Sequence, residues 1–376
     1  MFSQVCFKPC FNYFLCYTYL MENLGYNEFF KSAFETLQAV GCSPARVTAE
    51  HKGAYKVKNA TGEFLAKVTG KQMFTATSRE DYPAVGDWVA IQELDQENAT
   101  IHAVLPRKTI LKRKYNNKND SQLIATNIDI AFIVASVDRD FNLNRFERYI
   151  ALAHDGGVQS TIIVNKIDLL SKDELDSKIA HLQERFPDIT VLTTSTVRKD
   201  GLQELAEYME KEKTYCFLGS SGVGKSSLIN SLLGENALET GEISFQTGRG
   251  KHVTTGREMY FLKNGGIVVD NPGMREVGMT DTNAGVDTLF DEIVTLAEKC
   301  KYPDCTHTHE SGCNVAPHIQ SGRIDEDKFS NYVRLKKEAD FYEMSEYEKR
   351  NKDKKFGKFL KKAKKTMGEC GYDAYQ

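Results

Sequence analysis

The sequence predicts a multidomain protein in which a central α/β domain lies between an N-terminal β-barrel and a C-terminal helical unit. Three observations predict it. Residues 46–106 hold five short alternating strands separated by Gly and Asn turns. A Gly-x4-Gly-Lys-Ser loop, Gly219 to Ser226, stands between a β-branched, aromatic run and a run of helical spacing. Beyond residue 284 the pattern becomes helical, with three cysteines and a histidine inside fourteen residues.

The 376 residues allow two or three domains. The expected division is an N-terminal extension and helix over 1–45, the barrel over 46–115, the α/β domain over 116–283, the helical domain over 284–347 and a basic tail over 348–376. The apolar run Phe11 to Leu20 is about half the length that a membrane-spanning helix needs, and it lacks a small-residue cleavage site. Met21 is an alternative start, so residues 1–20 are set aside from the fold. No stretch is long enough to cross a membrane, and scattered cysteines fit a reducing compartment. A cytoplasmic monomer is expected.

The barrel strands are read as Arg46–Glu50, Ala54–Lys58, Gly62–Val68, Asp87–Ile91 and Thr100–Leu105. Five strands in so short a span is the count of an OB-like barrel, a common oligonucleotide platform, and an SH3-like barrel is the alternative. Tyr55 and Trp88, the only tryptophan, are candidates for base stacking; core packing is the competing role and the expected one for Trp88.

In the central domain Thr214–Leu218 reads as a strand and Ser226–Leu233 as a helix closed by Gly234. The loop between them, Gly219, Ser220, Ser221, Gly222, Val223, Gly224 and Lys225, then presents backbone amides at a helix N-terminus, which is an anion nest. Lys225 would reach the β- and γ-phosphates of a nucleotide, the Ser226 hydroxyl would ligate Mg2+, and Ser227 extends the same first turn. A second motif, Asn165-Lys166-Ile167-Asp168, follows the strand pattern Ser160–Val164. Asp168 can accept hydrogen bonds from the ring N–H and amino group of guanine. Adenine offers neither donor there, and leaving the carboxylate unpaired costs roughly 2 kcal/mol or more, which selects GTP. Asn165 would tie the base site to the phosphate loop, and the Lys166 stem would cover the purine face. After the strand Ile189–Leu192, Ser195 lies in a Thr193–Thr196 segment similar to the loop that contacts the guanine carbonyl, with Thr196 where alanine is usual.

The strand ending Val268-Val-Asp270-Asn-Pro-Gly273 suits an aspartate at the Mg2+ shell and a Gly273 amide facing the γ-phosphate. The loop Gly248 to Gly256 is basic and hydroxyl-bearing, and either Thr254 or Thr255 can be the further magnesium ligand. Met274 stands where many GTPases carry the glutamine that orients the attacking water, and His252 is the nearest group able to replace it. The base-reading motif precedes the phosphate loop, the reverse of the ordinary order. A sheet that presents the same loops at the same strand ends tolerates this exchange, so the central domain is read as a circularly permuted P-loop GTPase domain.

Cys300-x4-Cys305-x-His307-x5-Cys313 has the donors and spacing of a structural Cys3His zinc site, one Zn2+ per chain, with His309 as a rival ligand. The net charge is −3, but Arg107 to Lys118 holds six basic residues and no acidic one, and Lys349 to Lys365 holds ten against one. Such runs are solvated faces in many proteins; beside a GTPase they point toward RNA.

Together the permuted order, the Gly248-Arg-Gly-Lys-His252 loop, the N-terminal barrel and the Cys/His cluster resemble the RsgA family of small-subunit-dependent ribosome biogenesis GTPases, over roughly residues 40–345. The resemblance implies GTP hydrolysis to GDP, stimulated by the small (30S) ribosomal subunit during its late maturation, and rRNA contacts from the barrel and zinc domain. It further implies that His252 is the stimulated catalytic residue and that Cys300, Cys305, His307 and Cys313 are the zinc ligands. Asn271, Val253 and Thr196 depart from the family pattern. A non-catalytic, GTP-liganded RNA-binding checkpoint protein is the alternative reading, with Met274 marking lost catalysis.

Overall fold

The computed structural model describes residues 16–51, 53–114, 121–138, 141–234, 257–270, 283–308, 310–345, 347–352 and 354–358. The barrel consists of β1 (Ser43–His51), β2 (Ala54–Lys58), β3 (Glu63–Val68), β4 (Trp88–Glu93) and β5 (Asn98–Val104). These pair in the order β1-β2-β3-β5-β4, and β1 returns to pair with β4, closing the barrel. The β3/β5 pair is parallel and the others are antiparallel, the OB arrangement rather than the SH3-like alternative. Inward-facing Val47, Val57, Phe64, Ile91 and Ile101 fill its interior.

One end of the barrel is covered by α1 (Glu28–Leu37), whose N-cap Asn27 accepts from the Phe29 amide, and a short helix α2 (Gly70–Thr75) follows β3. Met21, Leu24 and Phe30 pack on Trp88. Trp88 is fully buried and Tyr55 is 8 % exposed, so neither offers a stacking platform to a partner. Residues 16–22 are helical and Tyr17 joins the Trp88 cluster. Of residues 16–20, set aside on sequence grounds, Tyr17 takes part in this packing, while Cys16, Tyr19 and Leu20 are exposed.

Between the barrel and the central sheet β6 (Ile110–Lys114) pairs antiparallel with β7 (Ser121–Thr126), on either side of the division placed at 115/116. That sheet comprises β8 (Ile130–Ser136), β9 (Gln159–Asn165), β10 (Val191–Thr194), β11 (Thr214–Leu218), β12 (Glu258–Phe261) and β13 (Ile267–Asp270) in the order β10-β9-β8-β11-β13-β12. All neighbours are parallel except β12, which runs antiparallel to β13. Its edge is not left open: β12 also pairs with β1 at Ala49 and Glu258, which joins sheet and barrel.

Alternation along β8 places Ala131, Ile133 and Ala135 against α3 (Leu143–Asp155) and α4 (Lys172–Arg185) on one face. Ile130, Phe132 and Val134 face the other way, toward α5 (Leu202–Tyr208) and α6 (Lys225–Leu233). Both faces of β8 are buried, which is why it reads as a continuous apolar run.

The C-terminal unit contains α7 (Ala284–Leu289), α8 (Asp291–Ala297), α9 (Ala316–Gln320) and α10 (Glu326–Glu343). Phe290, Ile293, Tyr332 and Leu335 form its core, and Ala151 of α3 enters the same cluster. Polar contacts fix this junction. Arg148 is bidentate to Glu338 at 2.8 and 2.7 Å, and buried Glu147 accepts from Arg185 Nε at 2.7 Å and from the Asn331 amide. Among the described residues no helix is long and apolar enough to cross a membrane.

Candidate guanine-nucleotide site and metal centre

The carboxyl ends of β8, β9, β10, β11 and β13 gather the sequence motifs at one edge of the sheet, where open α/β sheets bind ligands. Strand β11 ends at Leu218, the phosphate loop follows, and α6 begins at Lys225, one residue earlier than its apolar spacing suggests. Gly234 closes α6 in the left-handed conformation, as its position after the apolar run predicts. The Lys225 ammonium donates to the Gly219 and Ser220 carbonyls at 2.7 and 2.6 Å, which holds the charge over the loop.

Asn165 ends β9 and is 1 % exposed. Its Nδ2 donates to the Val223 carbonyl at 2.8 Å, and its Oδ1 accepts from Thr194 Oγ1 at 3.0 Å. The asparagine thereby ties the ends of β9 and β10 to the loop that precedes α6. Gly224 makes the approach possible. It has φ 101°, and a Cβ there would come within 2.3 Å of Asn165 Nδ2.

Lys166 takes a left-handed conformation, φ 63°, directing the chain into the short helical turn Ile167–Leu169 that carries Asp168. Its Nζ lies 3.3 Å from Asp138 Oδ2. Ser195 Oγ donates to Asp168 Oδ1 at 2.5 Å and accepts from the Arg198 amide at 3.0 Å. Arg198 Nη2 also donates to the Asp168 carbonyl at 2.8 Å. Ser195 thus orients the Asp168 carboxylate. Strand β10 starts two residues later than expected and extends through Thr194, because parallel pairing with β9 carries the ladder as far as Asn165.

Sequence reasoning missed Asp138, Arg145, Thr194 and Arg198. Arg145 Nη1, from the first turn of α3, reaches Ser220 Oγ at 3.0 Å. Thr194 lies in the Thr193–Thr196 segment, where its spacing gave it no role of its own, and the other three belong to no contiguous motif. Only Arg198 had a local signal, lying three residues after a serine whose hydroxyl can fold the chain back on itself. Asp270 is placed at the carboxyl end of β13, beside the phosphate-loop strand. Ser221, Gly222, Ser226 and Ser227 lie in the loop and the first turn of α6. His252, Thr254, Thr255, Asn271, Gly273 and Met274 lie outside the described residues, as does His309.

The likeness to known proteins follows the same geometry. The RsgA GTPase family profile matches residues 104–280. A relative from Bacteroides thetaiotaomicron, small ribosomal subunit biogenesis GTPase RsgA 1, is 38 % identical over 86 % of this chain and 90 % of its own length. The chain belongs to the RsgA GTPase family. It is a GTPase of the circularly permuted kind. The crystal structure of YjeQ from Thermotoga maritima matches it with a TM-score of 0.59 and 26 % identity, covering 79 % of this chain and 98 % of that one. YloQ, described as a circularly permuted GTPase, shares the fold at a TM-score of 0.58 and 22 % identity, covering 80 % and 96 %.

The RsgA family member also assembles its four C-terminal donors. One ligand atom from each of Cys300, Cys305, His307 and Cys313 lies within 4.8 Å of all the others. The Cys300 and Cys313 sulfurs each lie 3.6 Å from His307 Nδ1. Tetrahedral zinc with Zn–S of about 2.3 Å and Zn–N of about 2.05 Å sets an S···N edge of about 3.6 Å, so the donor set fits that ion. Backbone amides of Asn314 and Ala316 donate to the Cys300 and Cys313 sulfurs at 3.2 and 3.3 Å, the support expected around thiolate ligands.

Proposed function

We propose that this GTPase acts in late maturation of the small ribosomal subunit, binding it with GTP and leaving after hydrolysis that the subunit stimulates. The observation that carries this reading is the combination, in one chain, of the permuted guanine-nucleotide site, the OB barrel and the Cys/His-centred unit, at 38 % identity to a protein named for that process. Asn165, Lys166, Asp168 and Ser195 are assigned to the base. Gly219 through Ser227, with Asp270 and Gly273, are assigned to the phosphates, and Ser226 with Thr254 or Thr255 to Mg2+. Cys300, Cys305, His307 and Cys313 are assigned to Zn2+, which when bound supplies folding free energy and no open position for catalysis. The protein is taken to be cytoplasmic and monomeric, in contact with rRNA.

The geometry supports a division of labour at the nucleotide. Ser195 and Arg198 orient Asp168 so that its carboxylate accepts from guanine, and Asn165 fixes the distance from that carboxylate to the phosphate loop. Lys225 and the loop amides stabilise charge that spreads over the transferring phosphoryl group. Water activation is assigned to His252, since a thioether at Met274 cannot orient water. GTP turnover should be slow for the free protein and rise when small subunits are added. His252→Ala should leave GTP affinity within about twofold and remove about 10²-fold of the stimulated rate. A mutant stimulated as strongly as the parent makes His252 a bystander. No stimulation of the parent by small subunits, with GTP-dependent co-sedimentation retained, selects the checkpoint reading instead.

The basic run behaves in two parts. Arg107 is bidentate to Asp87, at 2.8 and 2.7 Å, and Lys108 lies 3.6 Å from Asp129, so these two serve the fold. Lys112 in turn lies 4.0 Å from Glu80, and Lys112, Arg113 and Lys114 on β6 are the residues of this run assigned to RNA. Replacing all three by alanine should weaken small-subunit binding and lower its salt slope by roughly one unit per phosphate that is no longer neutralised. Equal affinity across a salt titration would remove this strand from the interface.

A further inference from the structure

Barrel, N-terminal segment and central sheet meet around a cavity of about 180 Å³ at the amino end of β11, away from the phosphate loop. Arg46 of β1 forms its floor and is 1 % exposed. One guanidinium nitrogen donates to the Leu24 carbonyl, and the other donates to Thr214 Oγ1 at 2.8 Å and the Asn127 carbonyl at 3.3 Å. Nε is buried with no hydrogen-bond partner. Burial lowers the Arg46 pKa to about 10 although Asp129 and Asp87 pull the other way, so the neighbouring carboxylates leave this cation under-compensated.

The remaining walls are cationic on balance. Lys108, Lys211 and Lys213 line the cavity with Arg46, against the carboxylates of Asp129 and Glu212. Four cationic groups thus face two anionic ones; Lys108 and Asp129 pair at 3.6 Å, with the Thr214 amide also donating to Asp129 at 2.8 Å, which leaves Arg46, Lys211 and Lys213 against Glu212. The N-terminus of the ten-residue helix α1 opens on the same space through Tyr26 and Asn27 and adds its partial positive charge. Gly25 completes the arrangement: it has φ 82°, and a Cβ there would come within 2.6 Å of Arg46 Nη1.

From the buried, unpartnered Arg46 Nε, the lysine-rich walls and the α1 N-terminus, we infer that this cavity is a second anion site, distinct from the nucleotide site, that takes a phosphate group, free or as a small phosphomonoester. An oxyanion offers the acceptors that Arg46 Nε lacks and offsets the excess positive charge. The volume accommodates a phosphate with a small substituent, and the ring of Phe30 on its wall limits that substituent to a compact one. Because Thr214 opens β11 and Gly219 follows its last residue, occupancy fastens the barrel to the strand that carries the phosphate loop.

Trp88 reports on the site, since Arg46 lies 5.8 Å from its ring and Tyr26 packs against it at 4.7 Å. The full chain is saturated with Mg2+ and a non-hydrolysable GTP analogue, so that the phosphate loop is filled, and titrated with inorganic phosphate and separately with ribose 5-phosphate. Saturable change in tryptophan fluorescence, absent with chloride at matched ionic strength, is expected. Tighter binding of ribose 5-phosphate identifies a phosphorylated small molecule as the ligand, and equal or weaker binding identifies free phosphate. Lys211→Ala/Lys213→Ala, at the solvent rim, should raise the Kd about tenfold with an unchanged melting temperature in the absence of phosphate. Arg46→Met should abolish the response, and the rim variant keeps the test decisive if that protein does not fold. A response that chloride reproduces, or a Kd that the rim variant leaves unchanged, overturns the second site.

Discussion

Cys305→Ala is expected to release the metal and unfold the C-terminal unit while the central sheet stays folded. Metal binding by a Cys3His set is worth about 10 kcal/mol or more when the site forms only in the folded state. All four donors sit on the one long connection between α8 and α9, where Cys300 and Cys313 also pack against the unit's apolar core. The effect should stop at α3, where the Arg148–Glu338 and Glu147–Asn331 contacts cross into a GTPase core with its own large apolar clusters. Metal content by elemental analysis should fall from about one zinc per chain to none, and calorimetry should show a low-temperature transition split from the main one. A metal-free protein with the parental melt would refute the assignment.

Asp168→Asn should lower GTP affinity by about 10³-fold and raise affinity for xanthosine triphosphate. Two hydrogen bonds from guanine to a carboxylate are each worth about 1.5–3 kcal/mol, and the amide replaces one acceptor by a donor that matches the extra carbonyl of xanthine. The change should not unravel the site. Arg198 bonds the Asp168 backbone carbonyl at 2.8 Å, and Ser195 Oγ retains an acceptor in the asparagine oxygen. Competition binding with both nucleotides measures the shift. Unchanged preference would move base reading away from Asp168.

Much of this protein was legible because its motifs are local. The phosphate loop needs only a strand, a glycine-bearing turn and a helix start in succession, and β11 and α6 fall within one residue of where residues 214–233 place them. Asn165 to Asp168 and the four metal donors are likewise short segments whose chemistry is set by residue type and spacing. The barrel strands were legible through alternation, since each buries one face. The inverted motif order alone indicated permutation, because phosphate and base loops keep their strand ends however the chain is joined.

What depended on long-range packing was not legible. No spacing rule brings Arg145 to Ser220 or Arg198 to the Asp168 carbonyl, because their positions follow from how helices and loops dock on the sheet. Core packing was the expected role of Trp88, but that the N-terminal segment covers it and that the barrel interior takes Tyr55 was decided by the tertiary structure. Arg107 and Lys108 belong to a basic run that looks uniformly available for RNA until Asp87 and Asp129 meet them across the fold. Arg46 is the clearest case: a lone charge in a strand pattern, it becomes the buried link among Leu24, Asn127 and Thr214 only when three distant segments converge. The sequence by itself determined the residue types and spacing of the candidate nucleotide and metal-donor motifs, and the placing of Asn165–Asp168 before the Gly219–Ser226 loop, since backbone geometry and side-chain type act there over a few residues. The tertiary structure decided which charges and aromatics are left for a partner, because burial and pairing are set by neighbours that chain proximity does not specify.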